Sequence, residues 1–216
     1  ELKDYIEAID LFKKALEGGL DQIPVGDAYF YMALSHINIL EYDDGLLMLK
    51  EAEKVYALDQ ISPVYYYMGV CHFGKNEVDT AYRFFQKALG SSPKEEDLSS
   101  MYLYLGICHK EKGEYTQALE ELKNARASEE DRLEVHNLMG FCYFKLQEYD
   151  KAIECFVRAV EINPNSAIDW ANLGVNVRAK GEDDKAILLF KKALRLDSTI
   201  WFAQKHLKEL LEKKGL

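Results

Sequence analysis

The side chains best suited to chemistry in this sequence are its cysteines and histidines. Two dipeptides, Cys71-His72 and Cys108-His109, offer either a thiolate with its base or two soft metal ligands. Neighbouring residues on a helix point about 100° apart, so neither pair converges on one point. Cys71, Cys108 and Cys142 each fall two residues after a glycine, and His36, His72 and His109 fill the slot that Tyr143 fills later in the chain. Small buried thiols and packed rings are the simplest reading of such slots. Glu120-Glu121 and Asp183-Asp184 read as solvated faces and turn caps. No phosphate-cradling glycine loop, H-E-x-x-H or G-x-S-x-G elbow occurs. The expectation is no enzyme, no cofactor and no metal. The four thiols, Cys155 included, show no C-x-x-C spacing, which points to reduced cysteines in a cytoplasmic setting.

The glycines that precede these cysteines belong to a repeat. Gly69, Gly106, Gly140 and Gly174 are 37, 34 and 34 residues apart. Twelve residues after each stands Ala81, Ala118, Ala152 or Ala186, and nineteen after stands Ala88, Ala125, Ala159 or Ala193. Between the alanines lies Phe85, Leu122, Phe156 or Phe190; four residues before each glycine lies Tyr65, Tyr102, His136 or Trp170. Ala33 carries the same frame with Tyr29, Gly45, Leu49 and Ala52, and the first helix continues it with Ala8, Phe12 and Ala15. Apolar residues recur at i, i+3, i+4 and i+7, so each unit is two amphipathic helices. Small residues on facing helices let the backbones approach, and the Phe or Leu fills the space beside them. One unit alone cannot bury its apolar face, whereas stacked units can.

This pattern resembles the tetratricopeptide repeat (TPR). Met139-Gly140, Tyr143, Ala152, Phe156, Ala159 and Pro164 match it, as do Trp170, Leu173-Gly174, Ala186, Phe190 and Ala193. The resemblance implies an all-α, right-handed α-solenoid of antiparallel helix pairs with no strand. It covers residues 1–216 as one domain: a half repeat 1–22, repeats 26–59, 62–95, 99–132, 133–166 and 167–200, and a capping helix 201–216. Glu130 and Ser198 stand where the family has proline, and short insertions follow three of the units.

Across its 216 residues the chain is 48% hydrophobic and 12% aromatic, which excludes a disordered polypeptide. No apolar run approaches the ~20 residues of a membrane span. A net charge of −10 excludes a phosphate-binding field, and with it nucleic acid. Residues 1–98 carry 9 Lys+Arg against 18 Asp+Glu; residues 99–216 carry 18 against 19. The chain starts at Glu1 with a helical pattern already running and with its first unit lacking a first helix, so a fragment of a longer protein is expected.

The family resemblance implies a concave groove lined by the first helices. Its candidate residues are Phe30, Tyr31 and Leu34; Tyr66, Tyr67, Val70 and Phe73; Leu103, Tyr104 and Ile107; Asn137, Phe141 and Phe144; and Asn172 and Arg178. Tyr31, Tyr67 and Tyr104 admit two readings, wedges between helices or groove walls. So many apolar side chains facing one groove exceed what a monomer usually leaves uncovered. Phe30 with Leu34 and Tyr66 with Val70 replace the Lys and Asn with which some family members clamp a terminal carboxylate, whereas Asn137 and Asn172 resemble asparagines that hold an extended backbone. The expected role is a non-catalytic scaffold for an apolar or aromatic-anchored protein segment flanked by basic residues. The alternatives are a self-assembling repeat module and a regulatory domain of a larger enzyme or membrane-associated protein.

Overall fold

The twelve helices found among the described residues follow from the small-and-large periodicity. The computed structural model describes residues 2–18, 24–58, 60–127 and 131–215, and among them every regular element is an α-helix. Glu130 and the tail of the half repeat, 19–22, lie outside the described residues. The helices gather into two compact units, Glu1–Glu111 and Lys112–Leu216. The first holds α1 (Leu2–Gly18), α2 (Val25–Asn38), α3 (Tyr42–Val55), α4 (Ser62–Gly74), α5 (Val78–Leu89) and α6 (Glu95–Glu111). The second holds α7 (Tyr115–Ala127), α8 (Leu133–Lys145), α9 (Tyr149–Ile162), α10 (Ala167–Ala179), α11 (Asp183–Leu196) and α12 (Trp201–Lys213). Within each unit every helix packs on the next in sequence.

One contact recurs. A Cβ built on Gly69 would lie 2.6 Å from the Phe85 ring, one on Gly140 2.7 Å from Phe156, and one on Gly174 2.8 Å from Phe190. The ring therefore occupies the space an alanine methyl would need, and the glycine is what lets the paired helices close. Phe85 and Phe190 are fully buried, as are the alanines that flank them, Ala81, Ala88, Ala186 and Ala193. The pair α2/α3 solves the same problem in reverse. There Ala33 faces Leu49 in place of an aromatic ring, and the glycine is Gly45, whose added Cβ would meet Ile37 at 3.0 Å.

The turn between paired helices has a fixed shape. Seven residues after the repeat Gly (or Ala33), the backbone is left-handed: Leu40, Asn76 and Gln147 have φ of 64°, 62° and 61°, and Gly113 and Gly181 have 76° and 90°. The next residue, a glutamate, donates its backbone N–H to the carbonyl five residues back, as Glu41 to His36 and Glu77 to His72, both at 2.9 Å. In those two turns the histidine Nδ1 also meets the glutamate carboxylate, at 2.7 Å (His36–Glu41) and 2.6 Å (His72–Glu77). The histidine slot is thus a latch on the turn.

In the second unit, Phe156, Ala171, Leu173, Phe190 and Ala193 build a core that α12 closes with Ala203 and Leu210. Leu207 and Leu211 are only half-buried there. Lys213 reaches Asp183 at 2.6 Å and Lys214 reaches Asp184, so these two carboxylates tie the cap to the start of α11.

Candidate functional site

In the first unit, the aromatic residues of α2, α4 and α6 form a continuous chain of edge and face contacts. Tyr31 stacks on Phe12 of α1, with ring centroids 6.1 Å apart, and meets Phe30 edge-on at 5.8 Å. Phe30 meets Tyr67 at 5.6 Å, Tyr67 meets Tyr66 at 5.1 Å, and Tyr66 meets Tyr104 at 5.7 Å. Phe73 joins at 6.0 Å from Tyr104, which itself stacks on the buried Phe85 at 4.9 Å. The two readings of the tyrosines thus divide by position. Tyr31 is 49% exposed. Tyr67 and Tyr104 are half-buried, and Tyr104 is wedged on the core through Phe85. Phe30, Leu34, Tyr66, Val70, Phe73 and Ile107 are also half-buried, while Leu103 is packed inside the core.

Two adjoining cavities open along this chain of rings. One, of about 370 Å³, is walled by Phe30, Tyr31, Tyr56, Pro63 and Asp97 among others. A smaller one, of about 150 Å³, lies against Pro63, Tyr66, Tyr67, Asp97 and Met101. The Tyr56 hydroxyl donates to Asp27. Burial first, and then Asp27, push the Tyr56 phenol well above its ordinary pKa; burial and then Asp97 also raise that of Tyr67. Tyr56, Asp27 and Asp97 were not among the residues expected from the sequence. A signal existed: Gly69 and Gly106 are 37 residues apart instead of 34, and the extra residues lengthen α6 to 17 residues where α4 has 13. That added first turn carries Asp97.

The remaining candidates lie in the second unit. Phe141 is exposed, with the Lys145 ammonium 5.3 Å from its ring centroid, and Phe144 packs near Tyr149. Asn137 has a buried Oδ1 with no hydrogen-bond partner, and the backbone carbonyl of Asn172 accepts from Asn176 at 2.9 Å. Arg178 pairs with Glu209 at 2.8 Å and meets His206, so its guanidinium is engaged with α12.

The cysteines have the environment of inert thiols. All four are buried and outside any disulfide, and burial pushes Cys71 up to about 12 and Cys155 up to about 11. The Cys–His neighbours diverge as the helix geometry requires: His72 stacks on Phe84 at 5.1 Å and His109 lies edge-on to Tyr82 at 4.9 Å. Among the described residues, His36, Glu41 and Asp44 bring ligand atoms within 4.8 Å of one another. Since His72 and Glu77 repeat the His–Glu half of that group, it is first of all a turn latch.

The family model for the tetratricopeptide repeat matches residues 133–166. The fold is that of TPR proteins. A crystal structure of the C-terminal part of a TPR repeat-containing protein from Cytophaga hutchinsonii is 21% identical, with a TM-score of 0.74 over 90% of this chain and 75% of that one. YrrB, described as a TPR protein with an unusual peptide-binding site, is 22% identical, with a TM-score of 0.74 over 91% of this chain and 97% of its own. A chain of the APC/C hetero-tetramer Cut9–Hcn1 is 18% identical with a TM-score of 0.73; 97% of this chain matches, spanning 40% of that one. The comparison with curated proteins finds no match. TPR folds serve in general as scaffolds for protein interaction, and no described helix of this chain is long and apolar enough to cross a membrane.

Proposed function

We propose that the chain is a non-catalytic scaffold that captures a segment of another protein on the aromatic face of α2, α4 and α6. The observation that carries this reading is the chain of rings from Tyr31 to Phe73, most of them half-buried, along which two cavities open at Phe30, Tyr31, Tyr66 and Tyr67. Large aromatic side chains in partly desolvated pockets dominate interface energies, each contributing ~2 kcal/mol when truncated at a well-packed centre. The excess of carboxylates in residues 1–98 favours a segment with basic residues beside its apolar anchors, mainly by speeding encounter. Raising salt therefore slows association and leaves most of the affinity in place.

The test is a pull-down with the purified chain, followed by Tyr66→Ala and Phe73→Ala. Both variants keep the helical circular-dichroism signal and lose the partner. Two folded variants that bind normally would move the site to another face.

A further inference from the structure

The larger of the two cavities in the first unit combines features that a purely apolar anchor does not use. Its lining includes the aromatic residues Phe30, Tyr31 and Tyr56 together with Asp97, which also borders the smaller cavity. Among the described residues no cation pairs with Asp97. Lys94, the basic residue on the rim, already faces Glu96 at 3.6 Å. Behind Tyr56 stands Asp27, which accepts the Tyr56 hydroxyl. The first turn of α6 adds Glu95 and Glu96 to Asp97, and the unit as a whole carries 10 Lys+Arg against 19 Asp+Glu. Electron-rich ring faces and a carboxylate at one opening favour a flat, weakly hydrated cation over an apolar side chain.

We propose that this cavity takes the guanidinium of an arginine in the captured segment, seated between the rings of Phe30, Tyr31 and Tyr56 and paired with Asp97. The proposal rests on the groove reading above and adds the chemistry of one subsite to it. Arginine fits better than lysine because its plane stacks on rings while its N–H edge donates twice to a carboxylate. A cavity of about 370 Å³ has room for the guanidinium and part of its stem.

A library of random phage-displayed dodecapeptides, panned on the wild-type chain and on Asp97→Lys, separates the possibilities. The wild type enriches peptides with arginine at a fixed offset from an aromatic or large aliphatic residue. Asp97→Lys keeps the apolar residue and loses the arginine. In a synthetic copy of one such peptide, citrulline for arginine weakens binding to the wild type about tenfold and leaves binding to Asp97→Lys unchanged. Should Asp97→Lys fail to fold, Asp97→Asn takes its place, with the same pattern at smaller amplitude. Enrichment of apolar anchors without arginine, or arginine enrichment that survives the Asp97 change, overturns this proposal while the groove reading stands. A folded wild-type chain that enriches no peptide overturns both.

Discussion

Both units of the molecule build helix pairs on the same close contact of small residue and large ring, but they surround it with different chemistry. Gly69 against Phe85 in the first unit has the same geometry as Gly140 against Phe156 and Gly174 against Phe190 in the second. Around it, the first unit places Phe30-Tyr31 and Tyr66-Tyr67 where the second has Asn137-Leu138 and Ala171-Asn172. The first unit also holds nearly the whole charge excess, since the second carries 17 Lys+Arg against 18 Asp+Glu. Their interiors differ as well. Asp169 is buried at the position that Val64 fills in α4, and Asn176 is buried where α4 has Cys71. One oxygen on each of Asp169 and Asn176 has no hydrogen-bond partner. Both units bury polar side chains, but the first buries serines and a histidine (Ser35, His36, Ser62 and Ser99), whereas the second also buries a carboxylate and an amide. The fold depends on the shared contact; binding chemistry depends on what is free to vary around it.

The largest effect should come from that shared contact. Phe85→Ala and Phe156→Ala each leave a ring-sized cavity and cost about 3–5 kcal/mol in urea unfolding. A cost confined to one unit would break the equivalence. Gly69→Ala and Gly140→Ala force a methyl into the ring and cost about 1–3 kcal/mol each, and enlarging the space with Phe85→Leu or Phe156→Leu recovers part of the loss. A clean sum of the two single changes would mean that the ring and the glycine do not compete for the same space.

Replacing the buried acid sharpens the contrast between the interiors. Asp169→Val restores the side chain of the equivalent slot and removes an unsatisfied carboxylate oxygen, so stability rises by about 1–2 kcal/mol. No gain in the denaturation midpoint would mean that Asp169 is satisfied in solution. At the turns, Leu40→Gly relieves a left-handed backbone and raises stability by about 1 kcal/mol, and Gly181→Ala lowers it by a similar amount. Calorimetry that returned the same sign for both would contradict the turn geometry.

The smallest effect is acid sensitivity. In the second unit His136 and then Arg158 hold the Asp131 carboxyl below its usual range, Lys185 does so for Glu182, Lys213 for Asp183 and Arg178 for Glu209. In the first unit His72 does the same for Glu77. A carboxyl whose pKa is lower in the folded chain contributes its full stability above the unfolded value, about 4, and loses it as pH falls through the folded value. Amide protection factors, taken against the intrinsic rate at each pH, should therefore fall more in α9 than in α5 between pH 7 and 3. Asp131→Asn should reduce the difference. An equal fall in both helices would show that these surface pairs contribute little, as exposed pairs often do.

Most of the architecture was legible in the sequence because it depends on side-chain size at fixed spacing. A glycine, two alanines and a ring in one frame can close a helix pair in only one way, and that frame is local. The frame also placed Cys71, Cys108 and Cys142 in the packing slot two residues after the repeat glycine, and all three are buried there. The candidate groove was legible in part: spacing put Phe30, Tyr66 and Phe73 on one face, but it could not tell Leu103, which packs inside, from Tyr31, which stands half in solvent. Both are apolar residues in the groove frame, and their fate depends on which neighbours reach them.

The sequence by itself determined the helices, their pairing and the acidic character of the first unit, all of which follow from composition and short-range periodicity. The tertiary structure alone decided which rings meet and where the carboxylates lie beside them. Asp27 and Tyr56 are 29 residues apart and come together only because α2 packs on α3. Asp97 lies beside Pro63 and Tyr67 only because α6 starts four residues earlier, relative to its repeat glycine, than α4 does. Such meetings depend on the packing of whole helices, and no local spacing encodes them.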